Sequence, residues 1–246
     1  RPNHGSPTSD FVNRHPGEDF SADKVVQSAQ QNNCRSIAYT YTEPTIYFEF
    51  ALETAKLAKA AGLRNIFVTN GYMSRQAISL LSPYLDAANI DLKFFKDSSY
   101  QKICSAHLTP VLDSIRLLKD AGVWIEITTL VIPGENDTRD ELSGIAEFIA
   151  GVNKKMPWHI SRFHAQYKFD RYPDTPESTL KMAYGLGKAA GLDHVYAGNV
   201  YGWGQDTLCP ACKKALIKRE GFKIAELHVL GNKCIFCQAD LAGIFS

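Results

Sequence analysis

One phrase recurs three times along the chain and constrains its architecture more than any other feature. Lys59-Ala-Ala-Gly62-Leu63, Lys119-Asp-Ala-Gly122-Val123 and Lys188-Ala-Ala-Gly191-Leu192 each read as a helix end, a glycine at a left-handed stop and the apolar start of a strand. The three glycines stand 60 and 69 residues apart. A strand, helix and right-handed crossover take about 30 residues, so each interval holds about two βα units. A parallel sheet covered by helices follows.

Hydrophobic periodicity fills in the units. Ser21 or Asp23 caps a helix through about residue 31, and the strands are expected at 36–41, 65–69, 88–92, 123–131, 159–163 and 194–197. Helices are expected from about 45, where Ile46, Phe50, Leu57 and Ala61 recur at helical spacing, and at 74–81, 111–121, 139–152 and 176–190. Strand strings such as Ile66-Phe67-Val68 and Leu130-Val131-Ile132 alternate little, which predicts helices outside and a filled interior. Residues 1–20 carry Pro2, Gly5, Pro7, Pro16 and Gly17 without period and read as loop; 21–206 form the α/β domain and 207–246 a separate small one.

The pattern alone leaves open whether the sheet closes. Glu43, Asn70, Asp91 with Lys93, Pro133-Gly134, His164 and Asn199 each follow a strand, so groups capable of chemistry gather at the carboxyl ends. Barrels and doubly wound sheets both build sites there. Their convergence from successive strands favours a full or partial barrel. Formal charge is +1, from 27 basic and 26 acidic residues, so no global field holds nucleic acid or anionic lipid. Every apolar run is interrupted before the roughly 18 residues a membrane span needs, and a cytoplasmic location is expected.

The six cysteines are unevenly placed. Cys209-Pro-Ala-Cys212 and Cys234-Ile-Phe-Cys237, with 21 residues between the pairs, have the spacing of a two-knuckle structural zinc site, with a single rubredoxin-like iron as the alternative metal. So short a segment buries little apolar area, and a metal makes up the deficit. The ribbon's lysines read as a solvated face rather than a nucleic-acid surface. Cys34 and Cys104 are expected to be packed or half-buried thiols.

Tyr41-Thr-Glu-Pro-Thr45, Val68-Thr-Asn-Gly-Tyr72, Ile90-Asp-Leu-Lys93 and Val131-Ile-Pro-Gly134, in that order, resemble the radical SAM enzymes, and among them the pyruvate formate-lyase activating enzyme group. The longer strings at 36–45, 126–134 and 157–164, with the C-terminal cysteine pairs, resemble the AmmeMemoRadiSam system radical SAM family over about residues 21–246. The resemblance implies a partial (β/α)6 TIM-like barrel binding S-adenosylmethionine and a [4Fe-4S] cluster at its carboxyl end, with a zinc ribbon appended. The cluster would reduce the sulfonium and release a 5′-deoxyadenosyl radical that takes a hydrogen from the substrate. Glu43 stands where the family's carboxylate accepts from the methionine ammonium, and Pro44 stiffens that turn. Thr69 and Asn70 offer groups at the next strand end. Asp91 and Lys93 match the family's Asp-x-Lys beside the methionine carboxylate, and His164 matches a histidine near the cofactor. Val131 and Ile132 either pack on adenine or belong to a buried strand. The implied partners are a protein or small-molecule substrate and a reductant such as flavodoxin or ferredoxin, with no membrane.

The sequence departs from the family in two respects: it has no C-x3-C-x2-C cluster loop, which Cys34 and Cys104 cannot replace because the cluster takes three thiolates from one tight loop, and the family's Gly-Gly before Glu-Pro is Tyr41-Thr42, the narrower group's own form. The resemblance places that loop and the first strand before Arg1. Two rival readings remain: a cluster-free barrel acting as a binding or scaffold module whose ribbon docks a partner, and a lyase or aldolase using Lys93 as a Schiff-base nucleophile.

Overall fold

A computed structural model describes residues 20–221 and 223–243; the loop expected at the amino terminus lies almost wholly outside them. Helix α1 (Ala22–Gln31) leads into β1 (Ser36–Tyr39), and a 3-10 turn, Pro44–Tyr47, opens α2 (Phe48–Ala60). The alternation continues through β2 (Arg64–Thr69), α3 (Arg75–Leu81), β3 (Ala87–Asp91), α4 (Leu108–Asp120) and β4 (Trp124–Val131). It ends with α5 (Arg139–Val152), β5 (Trp158–Arg162), α6 (Glu177–Ala189) and β6 (Val195–Gly198). All six strands pair in parallel in sequence order, and among the described residues β1 and β6 do not pair, so the barrel is partial and open.

The repeated phrase is a repeated structure. Gly62, Gly122 and Gly191 have φ of +78°, +82° and +88°. Around Gly62 the amides of Ala61, Gly62 and Leu63 close onto the carbonyls of Leu57, Lys59 and Ala58, and the same triplet of bonds recurs around Gly122 and Gly191. The last carbonyls of α2, α4 and α6 are thus satisfied before the chain turns into its next strand.

Each strand shows a sharper alternation than its sequence suggests. Phe67, Ile90, Ile127, Trp158 and Ile160 face the helices and are fully buried, and they hold the main hydrophobic core together. Their neighbours Ile66, Asn89, Glu126, Thr128, His159 and Tyr196 point to the other, concave face and are only half-buried. Among the described residues the expected filled interior is therefore corrected: the inside is a cleft, because its polar side chains stay partly solvated and no described apolar layer closes over them. Val131 is completely buried on the helix side, so the buried-strand reading of that residue holds.

A short helical segment at 97–104 has no counterpart in the periodicity reading. The Asp97 carboxylate accepts from the amide of Leu108 at 2.8 Å, which starts α4 three residues earlier than the expected 111. Tyr100 is buried edge-on to Phe94, with ring centroids 5.6 Å apart. Cys104 is half-buried, and burial pushes its thiol up; Cys34 is exposed, contrary to expectation, because it lies in the turn just past the end of α1 at Gln31 and no described residue covers it.

Beyond β6 the chain forms a second, small cluster of Cys209, Leu216, Cys234 and Leu241. Its strands β7 (Thr207–Leu208), β8 (Ala215–Glu220) and β9 (Lys223–Leu227) make one antiparallel sheet, and β10 (Val229–Leu230) with β11 (Lys233–Cys234) makes a hairpin. No helix of the described residues is long and apolar enough to cross a membrane.

Candidate functional site

At the mouths of β1 and β2 the Glu43 carboxylate draws two strand ends together. Oε1 accepts from the Thr69 hydroxyl at 2.7 Å, the Thr45 hydroxyl at 3.0 Å and the Thr45 amide at 3.2 Å. Oε2 accepts from the Asn70 amide at 2.7 Å. Glu43 is 8% exposed, and Pro44, buried behind it, starts the 3-10 turn that presents it. Each carboxylate oxygen has two lone pairs; Oε1 is crowded by three donors, whereas Oε2, holding only one, keeps room for a further donor. Gly71 has φ +71°, and a Cβ there would stand 2.6 Å from Ile90 Cγ2, so only glycine lets the Asn70 turn lie close against β3.

One strand over, Lys93 Nζ and Asp91 Oδ2 form an ion pair at 2.5 Å, each side chain 37% exposed. The Lys93 backbone is clamped on both sides. Its amide donates to the Tyr100 hydroxyl at 3.1 Å, and its carbonyl accepts from Asn136 Nδ2 at 2.6 Å. Burial pushes the Tyr100 phenol above its ordinary value, so it stays protonated at neutral pH. Asn136 is fully buried, takes the Ile132 amide at 2.6 Å and also donates to the Leu130 carbonyl at 2.8 Å.

His164 lies at the far side of the sheet, after β5. Its Nδ1 meets Asp174 Oδ2 at 2.7 Å, and Asp174 is held below the usual carboxylate range by the Ala165 amide and by His164. Glu43, Thr69 and Asn70 are therefore bonded to one another and Asp91 is paired with Lys93. Among the described residues no hydrogen bond links His164 to either group. Between them stand residues that the motif reading missed. Thr175 joins β4 to β5 by donating to the Val131 carbonyl at 2.6 Å and accepting from the Phe163 amide at 2.9 Å. Glu135 accepts Lys102 at 2.8 Å and the Tyr172 hydroxyl at 2.5 Å, tying three loops at the rim. Glu135 follows the apolar strand β4, but Thr175 stands 13 residues past β5, just before α6, where no sequence spacing signals it.

Below the rim the concave face encloses a cleft of about 1170 Å³, with Asn89, Glu126, His159 and Tyr196 in its wall and His164 and Asn199 near its mouth. Glu43, Asp91 and Lys93 border the strand ends outside that enclosed space. The geometry thus has two levels, a charged rim and a polar floor.

Comparison with known proteins decides the family. The sequence profile of the radical SAM superfamily matches residues 6–149. The chain belongs to the radical SAM superfamily. It is 41% identical over 226 residues to an uncharacterized protein of Methanocaldococcus jannaschii, covering 90% of this chain and 67% of that one. It is also 23% identical over 196 residues to the 4-hydroxyphenylacetate decarboxylase activating enzyme of Clostridium scatologenes, covering 74% of this chain and 60% of that enzyme. Among solved structures, a domain of the pyruvate-formate lyase-activating enzyme of Bacteroides vulgatus superposes with a TM-score of 0.59 at 19% identity, over 67% of this chain and 99% of that one, which establishes a shared fold. Family and relatives indicate an enzyme.

The superfamily implies S-adenosylmethionine and an iron-sulfur cluster. The rim fits the former: a carboxylate with spare acceptor capacity and a lysine ammonium suit an amino-acid head group. For the latter, the described residues hold no group of three ligands apart from the C-terminal cysteines, and the sequence contains no C-x3-C-x2-C. The ligands of such a cluster are not among them.

The four C-terminal cysteines have all their Sγ atoms within 4.8 Å of one another. Cys209 and Cys237 are 3.7 Å apart, Cys212 and Cys234 3.8 Å. A tetrahedral ion with Zn–S of about 2.3 Å has S···S edges of about 3.8 Å, which the Cys209–Cys237 and Cys212–Cys234 pairs match, so the four thiols are grouped closely enough to hold one metal ion.

Proposed function

We propose that this radical SAM chain is the S-adenosylmethionine-binding barrel of an activating-type enzyme, with a zinc-held ribbon at its carboxyl end. The observation that carries the reading is the rim: Glu43 gathered with Thr69 and Asn70, beside the Asp91–Lys93 pair, at adjacent strand ends. Glu43 Oε2 receives the methionine ammonium, and Lys93 complements the methionine carboxylate while Asp91 holds its Nζ in place. Pro44 fixes the turn, and His164, oriented by Asp174, closes the opposite side of the mouth. In this class, a [4Fe-4S] cluster with S-adenosylmethionine supplies a 5′-deoxyadenosyl radical for hydrogen abstraction.

The activating-enzyme relatives support a protein substrate and a flavodoxin or ferredoxin reductant, and a cytoplasmic location belongs to the same reading. The chain spans 57% to 67% of the first relatives it matches, so these belong to the whole enzyme rather than to the barrel alone. The Schiff-base reading loses support because the Lys93 ammonium is already engaged by Asp91. The test is iron, sulfide and zinc analysis, with intact mass, on protein made anaerobically from the native gene. About four iron and four sulfide per chain, with one zinc, support the reading. Zinc alone would favour the cluster-free binding module.

A further inference from the structure

The floor of the cleft carries a second constellation that the rim chemistry does not use. Glu126 on β4 and His159 on β5 meet at 2.6 Å through Oε2 and Nε2, and Trp124 Nε1 donates to the other carboxylate oxygen at 3.1 Å. Burial pushes the Glu126 carboxyl up, but the His159 and Trp124 bonds outweigh it and leave it below the usual range. An ionised carboxylate only accepts, so His159 Nε2 carries the proton, and in the neutral ring Nδ1 carries a lone pair. Among the described residues Nδ1 has no hydrogen-bond partner.

The surroundings fix the ring, which stays about one-third exposed in the cleft wall. His159 stacks on Tyr196 at 5.1 Å and 23°, and the Tyr196 hydroxyl is tied to Thr207 at 2.9 Å. His194 stacks parallel to Tyr196 at 6.2 Å, and Arg219 lies 5.7 Å from the same ring. On the neighbouring strands Ile66 gives the cleft wall an apolar surface, and Asn89, whose Oδ1 accepts from Thr128 at 2.8 Å, presents its amide nitrogen. A half-buried carboxylate–imidazole pair inside a cavity costs desolvation that an apolar pair would avoid, which suits a recognition group better than a packing one.

We propose that His159, oriented by Glu126, is the hydrogen-bond acceptor for a hydroxyl-bearing ligand seated in the cleft beneath the strand-end rim. The ligand donates its O–H to Nδ1 and lays its apolar body against Ile66 in the cleft wall. Resting on the S-adenosylmethionine reading, this assigns the floor to the molecule acted upon and the rim to the cofactor.

The experiment titrates the whole 15N-labelled chain with phenol and with anisole, which shares the ring but has no donor hydrogen. His159 ring nitrogens are followed by NMR and assigned with H159Q. Phenol is expected to move the Nδ1 resonance saturably, with anisole about three- to tenfold weaker and E126Q weakening phenol by a similar factor. Affinity for S-adenosylmethionine, measured on the same samples, stays unchanged in E126Q and H159Q. Equal binding of anisole and phenol, or no movement of His159, overturns the proposal even if E126Q proves unstable, since both are read on the wild type. Should the wild type bind phenol at His159 but not S-adenosylmethionine, the cofactor reading falls and the acceptor site stands.

Discussion

Asn136 illustrates how much of the rim rests on buried side chains that bind only backbone groups. It holds the Ile132 amide and the Lys93 and Leu130 carbonyls from a fully buried position. Asn136→Ala leaves these backbone groups unsatisfied, and a loss of about 3 kcal/mol is expected in urea unfolding. The same substitution should weaken S-adenosylmethionine binding through Lys93, even in molecules that remain folded. Glu43, Asn70, Asp91 and Lys93 were legible as polar residues at predicted strand ends. Asn136, Thr175 and Glu135 were not, because their partners are backbone groups or side chains from distant loops, and no local spacing encodes such pairings. Glu126 and His159 went unassigned for a related reason: both sit inside strands, where alternation marks a face but not what that face encloses.

At the scale of elements, the glycine stops explain why the helix–strand rhythm was readable. Gly122 at φ +82° has open space where a Cβ would go, so Gly122→Ala costs only the left-handed conformation, about 1 to 2 kcal/mol. Gly71→Ala adds a clash with Ile90 and Val111 and should destabilise by clearly more than Gly122→Ala in the same unfolding assay. Rim loops are joined differently, by charge. Hydrogen bonds from Lys102 and Tyr172 hold Glu135 below the ordinary carboxylate range. A group depressed in the folded state contributes stability above its unfolded pKa, about 4.3, and loses it as pH falls through the folded value. The melting-temperature gap between wild type and Glu135→Gln should therefore be level from pH 7 to about 5 and shrink below about 4. The 97–104 segment escaped periodicity because one carboxylate, Asp97, and one buried ring, Tyr100, organise it rather than an apolar stripe.

Across the whole molecule, apolar burial is divided between a main core under the sheet and a ribbon cluster of four buried residues, two of them cysteines. So small a cluster buries little apolar area, and the four cysteines could hold a metal that makes up the deficit. If the ribbon is metal-held, Cys209→Ser or metal chelation should unfold it in hydrogen-exchange measurements while the sheet amides keep their protection. Loss of an iron-sulfur absorption band in Cys209→Ser would instead make the ribbon a cluster site. The two-level cleft, with a charged rim above a polar floor, is a property of the assembled sheet, and sequence reasoning predicted a filled interior in its place. The most direct test of the account is calorimetric titration of S-adenosylmethionine into the wild type, Glu43→Ala and Lys93→Ala, with circular dichroism confirming that each is folded. The account predicts that the wild type binds and that each variant binds about tenfold or more weakly. Folded variants that bind as tightly as the wild type would contradict it.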